Sequence, residues 1–452
     1  MEVRKKEKTQ SANFQPFKGW RYDTSHVNME QVIAPPYDVI SPEEQDRLYL
    51  RSPLNCIRLI LNKIEPTDSL QNSRYTRAKN YFETWQKEKA LTQEKHPAFY
   101  LYIQKFTSPV DGKSIERAAV IGRLKLEAFD KHIVVPHEKT LSRARADQRQ
   151  LLETAQTSFS PIFGLFEDPK AEVASVRSEV LKTKPLFSAK DDAGVLHTVW
   201  SVENQAQIKR IHESISSKKI YIADGHHRYQ TALEYGVEMR QKAGDPSHEL
   251  ASDYALMALV EFQDAGLVLL PTHRMVLPVP GLDSQKALLA LKPYFKIETK
   301  SLEELKTIFN SLEKQEAGRT AFRDKTLFGL CFEKEQYLLT LTDEAAAKKG
   351  MPAGKPDIWY RLDTSILSHF ILGALWQVPE SNWEATLQYT HSTDEALKSV
   401  RDRQVFATLL LQAPRVEILR EMGNVRELMP QKSTYFYPKL ASGLVFYSHL
   451  SA

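Results

Sequence analysis

Cysteine is almost missing: Cys56 and Cys331 are the only two in 452 residues, and no C-x-x-C spacing occurs. That excludes a zinc ribbon and a disulfide framework, and it predicts a reducing compartment. No run of about 18 consecutive apolar residues exists, so no membrane-spanning helix is expected. The opening MEVRKKEKTQ is charged with no apolar stretch behind it, which predicts against secretion and for a cytoplasmic protein. A strong charge of one sign is missing too: 61 Lys and Arg stand against 57 Asp and Glu, a net +4. So small a balance on so long a chain gives no support for a nucleic-acid or anionic-membrane partner. Neither a Walker G-x-x-x-x-G-K-[ST] nor a G-x-G-x-x-G motif is present, which removes two common nucleotide folds.

What is present reads as alternating elements. SPEEQDRLYL opens a helix with Ser41 as N-cap, Pro42 in the first turn and Glu44 three residues after the cap. HPAFYLYIQKF and ERAAVIGRLKLEAF flank an Asp-Gly turn signal and predict a hairpin. From about 131 to 275, strand-like and helix-like stretches alternate. A further hairpin is predicted at FGLCFEKEQYLLTLTD and a helix at TSILSHFILGALW, while KKGMPAGKPD reads as a mobile connection. The class predicted is α+β with mixed sheets, in three domains: residues 1–130, 131–277 and 278–452.

The most informative stretch is YIADGHHRYQTAL, residues 221 to 233. Apolar Ile220, Tyr221 and Ile222 bring a strand to Asp224 and Gly225. Tyr229, Ala232, Leu233 and Val237 then recur at helical spacing, so the turn sits at a helix N-terminus. Such an end presents unpaired N–H groups and a positive dipole to an anion, and Gly225 admits close approach. His226, His227 and Arg228 add donors suited to phosphate oxygens. Two other readings stay open here. Asp224 is also a helix cap of ordinary kind, with Arg228 paired to an acid, and histidines also bind zinc. Neighbouring histidines on a helix diverge, however, whereas helical zinc ligands want i, i+4 spacing.

A second cluster is VVPHEKTLSRARAD. Pro136 ends an apolar run and places His137, Glu138 and Lys139 in a loop before a helix capped by Thr140 or Ser142. A glutamate beside His and Lys is what a general base for a hydroxyl nucleophile requires, with Lys139 available to phosphate charge; plain surface charge is the alternative. In APPYDVIS, Tyr37 and Asp38 are candidates for substrate contact or for a rigid turn. In PTHR, Thr272, His273 and Arg274 emerge at a strand end, where ligand groups gather in α/β sheets. PQKSTYFYPK brings Lys432, Ser433, Thr434, Tyr435 and Lys439 as further phosphate donors near the C-terminus.

In order, APPYDVI, PHEKTLS, SPIFGLFED, ADGHHRYQTAL, LPTHR and MPQKSTYFYPKLASGLV resemble the motifs of a large bacterial family known only as a domain of unknown function. More distantly, PHE followed by DGHHR looks like the two nucleotide-site boxes of the ParB/sulfiredoxin-like fold, above all its free-serine kinases. That resemblance implies a ParB/sulfiredoxin-like core in the central domain, with an insertion between the boxes. It implies Glu138 as base and Asp224 to Arg228 as the grip on a phosphoryl donor, with His226 and His227 in the catalytic group. Sulfiredoxin chemistry is excluded because no cysteine stands in the turn. The function expected is phosphoryl transfer from ATP, ADP or pyrophosphate to the hydroxyl of a small molecule such as serine. Mg²⁺ is expected with Asp224 among its holders, and a homodimer is left open. The alternatives are a non-catalytic nucleotide-binding regulator and a hydrolase using His226 or His227.

Overall fold

The turn at Asp111 and Gly112, the latter at φ 73°, closes a hairpin between the strands Phe99–Thr107 and Ser114–Lys125, paired antiparallel from Tyr100 with Ile121 to Thr107 with Ser114. This hairpin is the middle of the largest sheet. The structure is a computed structural model that describes residues 11–69, 71–138, 142–314 and 325–450.

The sheet has nine strands and is mixed. In spatial order they are Val134–Val135, Ile220–Asp224, Ile162–Phe166, Tyr254–Glu261, Ser114–Lys125, Phe99–Thr107, Leu196–Val202 and Phe187–Lys190, with Phe14–Gln15 also pairing onto Ser114–Lys125. Val134–Val135 runs parallel to Ile220–Asp224, and Ile162–Phe166 parallel to Tyr254–Glu261; the remaining pairs are antiparallel. The strands therefore come from both sides of residue 130.

Both faces of this sheet are covered. Ile220 and Ile222 enter one apolar cluster with Tyr229, Ala232 and Tyr235, while Tyr221 and Ala223 enter a second one. Alternate side chains going to opposite buried faces explain why the strand reads as an unbroken apolar run. A second, six-stranded antiparallel sheet contains Phe295–Thr299, Gln336–Leu341, Leu327–Cys331, Ala407–Leu410, His273–Val276 and Leu387–Thr390 in that order. The α+β class with a mixed sheet, expected from the sequence, is the class observed.

Local signals act as their chemistry requires. Ser41 accepts from the N–H of Glu44 and starts the helix Pro42–Arg51. The expected helix at 364–376 is wound more loosely: Ile366–Leu375 is a π-helix, and Trp376 N–H reaches back five residues to the Ile371 carbonyl at 2.9 Å. The stretch KKGMPAGKPD is tied down, with Tyr360 Oη donating to the Pro352 carbonyl at 2.8 Å and Lys355 Nζ to Glu427 at 2.9 Å. Among the described residues no helix is long and apolar enough to cross a membrane.

The last segment crosses back over the N-terminal half. Ser442 exchanges backbone bonds with Ala34, Phe446 with Trp20, and Tyr447–Ser448 pairs with Thr157–Ser158. Arg117, almost fully buried on the central hairpin, receives this return by donating to the carbonyls of Tyr437 and Pro438. Residues 432–439 are thereby delivered to the edge of the nine-stranded sheet where the strand Ile220–Asp224 ends.

Candidate functional site

Gly225 follows the strand Ile220–Asp224 in the left-handed region, at φ 92°, and the helix His226–Lys242 begins at the next residue. A Cβ at Gly225 would lie 2.9 Å from Arg228 Nη2, so a side chain there strains φ and pushes the guanidinium aside. No side chain caps this 17-residue helix. A helix start of this kind turns its first N–H groups and the positive end of its dipole toward whatever faces the turn.

Asp224 stands beside the turn between two cations, Lys439 Nζ at 2.7 Å and Arg228 Nη2 at 3.2 Å. Burial alone would raise its pKa, but Lys439 and Arg228 outweigh burial and hold the carboxyl at about 2. The Arg228 guanidinium also donates to the Pro161 carbonyl at 2.7 Å. It braces the turn from the protein side. His226 is buried, and its Nε2 accepts the backbone N–H of His137 at 3.2 Å. Burial pushes its pKa down to about 3, so the ring is neutral with its proton on Nδ1. His227, next in line, is half-buried.

The His137–His226 bond joins the two boxes that the sequence keeps 89 positions apart. The His137 ring is fixed as well: Nδ1 donates to the Ile222 carbonyl at 2.7 Å, and Nε2 lies 2.8 Å from Thr434 Oγ1. Glu138 points into the loop after Pro430. Its Oε1 accepts the N–H groups of Ser433 and Thr434, both at 3.0 Å, and lies 3.2 Å from Thr434 Oγ1. Among the described residues Oε2 accepts only the N–H of Lys432, at 3.3 Å. Lys432 is left-handed, at φ 60°, which turns three successive N–H groups toward one anion in the manner of a backbone nest. Burial opposes ionisation here too, but the adjacent His137, His226 and the Thr434 N–H hold Glu138 at about 2.

The remaining expected residues divide between the cluster and its supports. Lys439 Nζ lies 4.5 Å over the Tyr435 ring, which stacks on His391 with ring centroids 3.5 Å apart. Burial lowers His391 to about 4, and its Nδ1 donates to the Pro271 carbonyl at 3.0 Å. Burial raises the Tyr37 phenol, which also feels the charges of Arg228, Asp38 and Asp224. Asp38 is exposed, and its charge acts on Lys439 and Tyr435.

His273 and Arg274 are buried at the start of the strand His273–Val276, inside the second sheet. His273 accepts the N–H of Leu411 on Nδ1 and contacts Thr393 Oγ1 through Nε2, both at 3.1 Å. Arg274 donates to the Lys432 carbonyl at 3.1 Å, bracing from behind the loop whose N–H groups face Glu138. Ser433 Oγ donates to the Pro430 carbonyl at 2.6 Å. Lys139 and Thr140 lie outside the described residues, as does the side chain of Ser142.

His391 is the member that sequence reading passed over. Its only signal was position, at the end of the strand Leu387–Thr390 just before the Ser392-capped helix Thr393–Arg401. Among the described residues no group of three or more His, Cys, Asp or Glu side chains is gathered as metal ligands. A larger cavity, of about 1010 Å³, lies beside the second sheet and meets this region only through Met429, Ser433 and Thr364.

A mixed α/β chain with a convergent ionic turn is thus defined. The chain belongs to the family described as "Protein of unknown function (DUF1015)", whose model matches residues 14–365. No curated protein matches it. Among solved structures it is similar to a conserved hypothetical protein from Pyrococcus furiosus, at 14% identity over 71% of this chain and 92% of that one, with a TM-score of 0.33. It is also similar to a free serine kinase in complex with AMP, at 12% identity over 70% and 86%, with a TM-score of 0.33. A third is SbnI with C-terminal truncation from Staphylococcus aureus, at 10% identity over 71% and 86%, again with a TM-score of 0.33.

Proposed function

We propose that the protein is a small-molecule phosphotransferase that carries a phosphoryl group from a nucleotide to a hydroxyl. The observation that carries this reading is the His137–His226 bond, which sets Glu138 and the uncapped helix start at Gly225 in one cluster. The PHE and DGHHR boxes resemble those of free-serine kinases, and a cluster joining them is what that chemistry needs.

The donor's phosphates fit the N–H groups after Gly225, with Lys439 supplying positive charge. In the transfer, the acceptor oxygen bonds to the terminal phosphorus, the bridging P–O bond breaks and the shortened nucleotide leaves. The hydroxyl proton passes to Glu138 Oε2, which among the described residues accepts a single hydrogen bond, at 3.3 Å. A carboxylate held near 2 is a weak base, which suits a loose transition state in which the proton moves late. Both Asp224 oxygens already face cations, so Asp224 does not fit as a direct Mg²⁺ ligand.

The second reading, a nucleotide-binding regulator, is favoured by the three N–H groups on Glu138, which make the carboxylate a clasp for residues 432–434. The test is incubation with ATP, ADP or pyrophosphate and a pool of small hydroxy compounds, followed by phosphorus NMR. A phosphate ester that disappears in Glu138→Gln while nucleotide affinity persists supports the transferase. Nucleotide binding with no ester from any donor rejects it in favour of the regulator.

A further inference from the structure

Immediately behind the Gly225 turn lies a cavity of about 50 Å³, walled by the helices Ser142–Ala155 and His226–Lys242 and by Tyr37. Arg228 lines it, and Thr231, three residues on and so on the same helix face, lines it too. Two polar atoms in its wall, Thr231 Oγ1 and Gln148 Nε2, are buried with no hydrogen-bond partner among the described residues. Thr231 is only 2% exposed, so bulk water does not satisfy it. Unpaired buried polar groups cost stability and are uncommon in native proteins, and two of them in one cavity call for an occupant.

The wall indicates the occupant's chemistry. Gln148 Nε2 is a donor, the Thr231 hydroxyl can donate, and the Arg228 guanidinium is the one charged group in the described wall. Among the described residues no carboxylate lines the cavity. An anion is therefore matched, whereas an ammonium group finds hydroxyls there but no counter-charge. One water needs roughly 10 to 15 Å³ on this measure, so the space takes a group the size of a carboxylate with few atoms behind it.

We propose that this cavity binds the carboxylate of a two- or three-carbon hydroxy acid, the acceptor of the transfer. The inference rests on the phosphotransferase reading for the acceptor's role, while the binding site itself stands on the cavity alone. It replaces serine, the acceptor expected from the motif resemblance, with a molecule that carries no amine.

The test is isothermal titration calorimetry of the full chain with glycolate, L-lactate and D-glycerate. L-serine serves as the amine-bearing comparison and 1,2-propanediol as the one without a carboxylate. At least one acid should bind, L-serine and the diol should bind at least tenfold more weakly, and Thr231→Val and Gln148→Leu should each weaken the acid at least tenfold. Because each variant removes an unpaired polar atom, neither should lower the melting temperature; the two together guard against one failing to fold. Binding of none of the acids, binding untouched by both folded variants, or serine bound as tightly as glycerate overturns the inference. ADP titrated into the same samples reads the other claim separately. Acids that bind without any ester being formed leave this site standing and remove the transferase, whereas an ester formed at full rate by both cavity variants does the reverse.

Discussion

Lys439 reaches across 215 positions of sequence to place its ammonium 2.7 Å from Asp224 Oδ1. Both side chains are largely buried, so neither charge has water to fall back on. Removing Lys439 leaves Asp224 with Arg228 alone and costs about 1 to 3 kcal/mol. Lys439→Met should lower urea stability by that order and weaken nucleotide binding. In a double-mutant cycle with Asp224→Asn, the combined loss should fall short of the sum of the two single losses. Additive losses would show that the two groups do not interact.

Gly225→Ala puts a Cβ against the Arg228 guanidinium and a side chain at φ 92°. The strain and the displaced arginine together should cost about 1 to 3 kcal/mol, read by thermal or urea unfolding. Nucleotide affinity should drop in the same variant, since the helix start itself moves.

Acid should weaken the protein before its carboxylates titrate. Burial lowers His226 and His273 to about 3 and His391 and His449 to about 4, against 6.5 for a free histidine. The unfolded chain takes up these protons first. The stability held by the neutral rings is therefore complete above pH 6.5 and is lost as pH falls toward 4 and 3. Each ring contributes at most about 1.4 kcal/mol per pH unit over its own window. Asp224 and Glu138, both held at about 2, add a loss of the same sign below their ordinary values of 3.8 and 4.5. Urea midpoints at pH 7.5, 6, 5 and 4 should fall steadily; a flat profile from 6.5 to 5 contradicts the burial of these rings.

His449 offers a gain. Both of its ring nitrogens are buried without a partner, and its ring stacks on Tyr235 with centroids 5.6 Å apart. Phenylalanine keeps the stacking and removes the unpaired atoms, so His449→Phe should stabilise by about 1 kcal/mol at neutral pH. The gain should grow as the pH is lowered to 5. A loss would mean that ordered water already satisfies the imidazole.

Local structure was legible where local chemistry fixes it. The run from Ile220 to Asp224, a glycine, and then apolar residues at helical spacing can hardly be anything but strand, turn and helix, and the Asp-Gly turn at 111–112 announces its hairpin. The helix Glu417–Asn424 carried no such sign, because the residue at its cap position is Val416, which makes no capping bond. Periodicity also cannot distinguish a π-wound Ile366–Leu375 from an α-helix, because the choice depends on packing around it. Of the site, the residue types at 137–138 and 224–228 could be read from motifs. The clasp of Glu138 by the amides of 432–434 could not, since it depends on a left-handed Lys432 and on a bond between segments 294 to 296 positions apart.

The return of residues 432–449 over the N-terminal half sets an order on the protein's birth. A ribosome will have extruded the strand, the glycine turn and the helix long before the lysine that neutralises Asp224 leaves the exit tunnel. Until then the aspartate faces Arg228 alone and Glu138 has no amides to hold. A chain that stops short of Lys439 therefore has neither the ammonium beside Asp224 nor the whole of the loop that closes on the acid of the other box.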